Sequence, residues 1–232
     1  MLIYILIWIL LVSVFSLFGS WYARKYRRMD ALVGLYVSFV LISNIVAYKI
    51  VNYNFGFFSF TASAATIIFS VTFLLTDIVN EKFGLKETRK MIFIAFISQV
   101  ATAFFILLAI KLPATSFFSD NESFVRILGF APRVMLASWI AFLLSENLDA
   151  SVFAWFKRKT KGKHLWARNV FSSIPAMALD TIVFVFIAFY GIVPNLGNLI
   201  FGVLVIKWIV GVIDIPFMYL NRAVLYKKIK YK

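Results

Sequence analysis

Apolar residues in this chain run unbroken over long stretches instead of alternating with polar ones, and short charged or turn-rich breaks separate the runs. Runs of roughly 20 residues are long enough to cross ~30 Å of hydrocarbon at ~1.5 Å rise per residue. Seven are predicted, at about 2–21, 31–50, 60–80, 91–112, 131–156, 170–192 and 196–220. The expectation is an all-α bundle of six to seven membrane helices. Barrel strands would alternate with period two. No Pro/Ser-rich linker, low-complexity tract or clear internal repeat divides the chain, so residues 1–232 read as a single transmembrane domain.

Composition agrees. Of 232 residues, 62% are hydrophobic and 15% charged, too little polar surface to coat a water-soluble globule. The net charge of +14 raises nucleic acid as a partner, but the basic residues sit in short clusters between apolar runs, with no aqueous domain to form a groove. They fit membrane topology instead. Four Lys and Arg follow the first run, four the third (Lys82, Lys86, Arg89, Lys90), six the fifth (Lys157 to Arg168) and five the last, 19 of the 24 in all. Basic loops stay cytoplasmic. The expected orientation is N-terminus outside and C-terminus inside, in a cytoplasmic (inner) membrane. Residues 1–20 lack basic residues ahead of the apolar run and carry Arg24, Lys25, Arg27 and Arg28 after it, the pattern of a retained, reversed anchor.

Against this background the polar residues inside the runs are informative, because a charged side chain near the bilayer centre costs at least ~2.5 kcal/mol and normally faces a partner or a cavity. Asp77 and Glu81 stand four apart on one helical face with Asn80 beside them; Glu146 and Asp149 stand three apart, preceded by Ser138 and Ser145. Asp180 lies mid-run, and Lys207, Gly211 and Asp214 share a face of the last run. Asn44, Lys49 and Arg133 are further candidates for the charge network. Capping or pairing at a helix end explains Asp77, Glu81 and Asp149 as well as a site does. The 27 phenylalanines read as lipid-facing or packing residues, and Pro175, Pro216 and the Gly191–Pro194–Gly197 turn as candidate helix breaks that ordinary turns and kinks mostly explain.

With no cysteine and one histidine, His164, neither a thiolate nucleophile nor a Cys- or His-based metal site is expected. GxSxG, HExxH and GxxxxGK[ST] signatures are missing from the sequence, as are the acidic DxxxD and DDxxD clusters of an enzyme holding Mg²⁺ against a diphosphate. The expectation is a non-enzyme without cofactor or metal.

Several strings carry a resemblance: SNIVAYK at 43–49, TDIVNEKFG at 76–84 followed by Arg89, RVMLASWIAFLLSENLD at 133–149, LWARN at 165–169, Ser172 and Ser173, DTIVFVFIAFYG at 180–191, and Lys207. They resemble the queuosine precursor transporter family, also called VUT, over roughly residues 35–215. Two departures stand out. Glu146 occupies the place of the family's glutamine after Ser145, and the first run lies outside the matched region.

The resemblance implies uptake of 7-deazaguanine bases, preQ0 or preQ1, which feed the tRNA nucleosides queuosine or, in archaea, archaeosine. Such a base presents N1–H and a 2-amino group side by side, a donor pair that one carboxylate accepts in bidentate fashion. Glu81, Glu146 and Asp149 are the candidate acceptors, Asn44 and Asn80 the candidate readers of the base carbonyl, and the site is expected between runs two, three, five and six. Asp77 and Asp180 are candidates for proton coupling, because a buried carboxylate can load and release a proton during alternating access. The expected partners are a nucleobase and the bilayer, not nucleic acid, and a homo-oligomer is left open. The alternatives are a substrate-capturing subunit of an energy-coupling factor system and a structural scaffold.

Overall fold

The computed structural model describes residues 2–47, 49–54, 59–129, 132–191 and 196–227, and the side chains of Leu2, Ile5, Ile50, 59–61 and 132–135 lie outside the described set. Eight helices are described: α1 (Leu2–Tyr26), α2 (Asp30–Val46), α3 (Ala65–Phe83), α4 (Leu85–Lys111), α5 (Asn121–Leu128), α6 (Pro132–Lys159), α7 (Leu165–Phe189) and α8 (Leu196–Tyr226). Each of the seven predicted runs contains one long helix. Segments Leu6–Tyr26, Leu85–Lys111, Leu165–Phe189 and Leu196–Tyr226 are long and apolar enough to cross a membrane. The protein is a multi-pass helical membrane bundle.

Two elements depart from the expectation. Between α2 and α3 the chain forms an antiparallel hairpin, β1 (Ile50–Asn54) on β2 (Ser59–Ser63), with Tyr53 opposite Phe60 and Asn52 opposite Thr61. The expected second and third runs therefore stop short, at Val46 and Ala65. The physical reason is local alternation: Tyr53 is buried while Asn52 and Asn54 are exposed, the period-two pattern of a half-buried strand. Tyr53 and Ala62 pack against Ile206 of α8, and the Tyr53 hydroxyl donates to the Ser63 carbonyl at 3.1 Å. Burial pushes that hydroxyl's pKa up to about 12. The second departure is α5, a short amphipathic helix in the loop expected between the fourth and fifth runs.

α3 is the axis of the bundle. Every residue from Ser70 to Glu81 is buried, and α2, α4, α6, α7 and α8 all pack around it. It ends at Gly84, whose φ of +85° suits a residue without Cβ; the Gly84 N–H returns to the Asn80 carbonyl, and α4 starts one residue later. Helices at the periphery turn apolar residues outward, among them Phe104, Phe105 and Leu108 on α4, as lipid requires.

α1 belongs to the bundle rather than merely anchoring it. The Ser20 hydroxyl and the Asn221 amide are hydrogen-bonded, Asn221 Nδ2 donates to Ser16 Oγ at 3.1 Å, and the Trp8 indole donates to the Ile67 carbonyl at 3.2 Å. Pro175 and Pro216 do not break their helices: both sit inside continuous α7 and α8. Neighbouring helices hold such a proline in place.

Candidate functional site

Because α3 is buried all round, its polar residues have nowhere to go but into the bundle, and one turn after another they meet polar residues of α6, α7 and α8. The result is a ladder along the bundle axis. At its outer rung the Lys207 ammonium donates to Asp180 Oδ2, while Ser145 Oγ donates to Asp180 Oδ1 at 3.2 Å. Lys207 also lies 5.5 Å from the centre of the Phe69 ring.

One rung down, Thr72 Oγ1 donates to Glu146 Oε1 at 2.8 Å, and the other oxygen of Glu146 has no hydrogen-bond partner. The Tyr36 hydroxyl of α2 is likewise fully buried and is set toward Glu146 as its polar neighbour, beyond direct hydrogen-bond length. Next, Asp149 accepts from Ser173 Oγ at 3.0 Å and Thr76 Oγ1 at 3.3 Å. Asp77 accepts from Asn169 Nδ2, which leaves Asp77 Oδ1 and Asn169 Oδ1 unpartnered. Asn169 and Ser173 are four apart on one face of α7, so the two carboxylates they hold stand about one helical turn from each other. Asp214 of α8 is buried with both oxygens unpartnered, and it interacts electrostatically with Asp77.

The inner rung is cationic. Glu81 meets Arg168 at 2.7 Å, Arg222 at 3.2 Å and Lys157 at 3.4 Å, each from a different helix. Arg168 is fully buried; Lys157 and Arg222 are 31% and 37% exposed. Lys157 also donates to the Asn80 and Glu81 carbonyls, and the Tyr226 hydroxyl donates to the Glu81 carbonyl at 3.0 Å. Burial pushes the Lys157 pKa down, opposed by the Glu81 carboxylate. A cleft of about 390 Å³, lined by Tyr219, Arg222, Ala223 and Tyr226, opens beside this clasp.

The ladder therefore has cations at both ends and acceptors between. Among the described residues, Asp77, Glu146, Asp149 and Asp214 form no salt bridge. In a low-dielectric interior such acceptors call for N–H donors, protons or a cation.

The sequence-predicted residues fall into three groups. Glu146, Asp149, Asp77, Asp180, Lys207 and Asp214 are brought together. Glu81 belongs to the same ladder, but both its oxygens are taken by cations, which leaves it a clasp rather than a free acceptor; Asn80 donates to the Ala150 carbonyl at 2.7 Å and ties α3 to α6. Asn44 and Lys49 lie apart. Asn44 donates to Gln99 Oε1 at 2.9 Å and accepts from Ser138 at 3.3 Å, a separate triad of α2, α4 and α6, and Lys49 is exposed beside the hairpin. The Arg133 side chain lies outside the described residues. The ladder also runs between α3, α6, α7 and α8, so the last helix contributes more than expected and α2 only Tyr36. Sequence reasoning missed Tyr36, Thr72, Thr76, Gln99 and the inward turn of Arg168. The spacing of Thr72, Thr76 and Asn80 at successive turns was the available signal.

A family model described as "Putative vitamin uptake transporter" matches residues 63–221. A "Probable queuosine precursor transporter" of Bacillus subtilis is 32% identical over 173 residues, covering 72% of this chain and 75% of the relative. A protein of the same description from Haemophilus influenzae is 32% identical over 57% of this chain and 54% of its own length, and the "Queuosine precursor transporter" of Escherichia coli is 26% identical over 71% of each. No solved structure matches. The matched segment contains every carboxylate of the ladder, and Tyr36, Arg222 and Tyr226 lie outside it.

Proposed function

The chain belongs to the vitamin uptake transporter family, a family of transporters and not of enzymes, and from that premise we propose that it imports queuosine precursors, the 7-deazaguanine bases preQ0 or preQ1, across the cytoplasmic membrane. The observation that carries the reading is Glu146. It is a fully buried carboxylate on the bundle axis, free of any cation, with one oxygen held by Thr72 and the other unpartnered. A carboxylate so placed is what the adjacent N–H and NH₂ donors of a guanine-like edge require. The Tyr36 hydroxyl supplies a further polar contact, and Phe69, Phe73 and Phe142 supply aromatic surface beside it. In this reading Glu81 and its cations close the cytoplasmic end, and six to seven helices span the membrane with the N-terminus outside.

The proposal extends to proton coupling at Asp180. Its buried Lys207 partner makes it a two-state element, a pair whose making and breaking would accompany alternating access.

The test is uptake of labelled preQ0 and preQ1 by proteoliposomes holding only this protein, with and without an inward proton gradient. Accumulation that follows the gradient supports a proton-coupled carrier, and accumulation indifferent to it removes the coupling. Binding without uptake would replace the autonomous carrier with a capture subunit that needs an energising partner. The absence of both binding and uptake would overturn the reading.

A further inference from the structure

Below Glu146 the ladder offers more unpartnered acceptors than unpartnered donors. Asp77 Oδ1, Asn169 Oδ1 and both oxygens of Asp214 are unpartnered, on residues that are 0%, 2% and 2% exposed. Asn169 is the independent marker. It is a neutral side chain whose amide nitrogen is already committed to Asp77, so its oxygen has no structural use there. Asp149 lies about one turn away with both oxygens held by hydroxyls, and Asp77 interacts electrostatically with Asp149, Asp214 and Arg168. Of these neighbours only Arg168 is cationic; its Nη1 is held by Glu81 and its Nη2 by the Gly162 carbonyl, while its buried Nε is unpartnered.

Four buried acceptor atoms and three carboxylates match one ligand chemistry: a compact cation with several N–H donors, which an alkylammonium is, with three. The two precursors named above differ at this point. One carries an aminomethyl arm, protonated at neutral pH like a lysine side chain; the other carries a nitrile, which accepts hydrogen bonds and donates none. A nitrile would bring no N–H donor to these acceptors.

We propose that Asp77, Asp214 and Asn169 form an ammonium subsite below Glu146, and that this chain therefore selects a 7-deazaguanine with a protonated aminomethyl arm over its nitrile counterpart. The inference rests on the reading of Glu146 as the acceptor of the base edge.

The experiment compares initial uptake of labelled preQ1 and preQ0 by proteoliposomes of the full chain, alongside Asp77→Asn and Asp214→Asn. The wild type should favour preQ1 at least tenfold in apparent affinity. Each variant should lose most of that preference, with preQ1 weakened several-fold more than preQ0, while thermal unfolding in detergent reports that the variant is folded. A folded variant that loses both substrates equally would overturn the subsite. Equal handling of the two precursors by the wild type would overturn the selectivity while leaving deazaguanine transport standing. Failure to transport either would remove the reading of Glu146 and the subsite with it.

Discussion

Glu146 and Glu81 are both buried carboxylates, but their surroundings predict opposite consequences of neutralisation. Glutamine at position 146 keeps the shape and the hydrogen bond from Thr72, and exchanges a charge-assisted contact with the substrate for a neutral one. The difference is about 1–2 kcal/mol, so Glu146→Gln should bind a deazaguanine roughly five- to thirtyfold more weakly in equilibrium binding, with little change in thermal stability. Unaltered affinity would take Glu146 out of the site. Glu81→Ala should act on stability instead. It strands the fully buried Arg168, a loss of about 3–5 kcal/mol, whereas Arg222→Ala removes a cation that is 37% exposed and should cost about 1 kcal/mol or less. Thermal unfolding in detergent would order the two; equal effects would mean the clasp does not bear on Arg168. This contrast was not legible in the chain. Burial cost marked both glutamates as residues needing partners, but sequence cannot say which cation reaches which carboxylate. Arg168 falls in a basic stretch that reads as a solvated loop, and only the start of α7 at Leu165 turns it inward.

At the scale of elements, the Asp180–Lys207 pair is a buried ionic link between α7 and α8. Breaking a buried pair from one side leaves an uncompensated charge, at about 3–5 kcal/mol, whereas removing both charges avoids that penalty. Asp180→Asn and Lys207→Met should each lower the unfolding temperature, and the double variant should regain most of the loss while remaining unresponsive to a proton gradient. Additive destabilisation in the double variant would show that the two side chains do not act as a pair. The long helices themselves were legible, because apolar runs broken by charge leave few other arrangements in a bilayer. The hairpin was hidden for a physical reason. Each strand is only five residues long, too short for a period-two pattern to stand out: β1 fell in the break after the second predicted run and β2 merged with the start of the third. The prolines leave their helices continuous, since α7 and α8 run through Pro175 and Pro216.

The whole molecule draws its orientation from where its basic residues gather. The end of α3, the end of α6, the start of α7 and the end of α8 meet at the Glu81 clasp, and Arg168 and Arg222 both donate to the Gly162 carbonyl of the intervening loop. The basic clusters after the third, fifth and last predicted runs are therefore neighbours in space as well as alike in charge, which is what a common aqueous side requires. That side should be the cytoplasm. The chain has no cysteine, so single substitutions report without background. Exposed positions are available on each predicted side: Arg27, Lys163 and Lys227 on the basic side, and Asn52 and Ser119 on the other. A membrane-impermeant maleimide applied to intact cells should label Asn52→Cys and Ser119→Cys, and should reach Arg27→Cys, Lys163→Cys and Lys227→Cys only after the membrane is opened. The reverse pattern would invert the molecule and place the Glu81 clasp at the entrance. A pattern that mixes the two sets would mean that at least one helix fails to cross, and α2 is the first to suspect because at 17 residues it spans only about 25 Å.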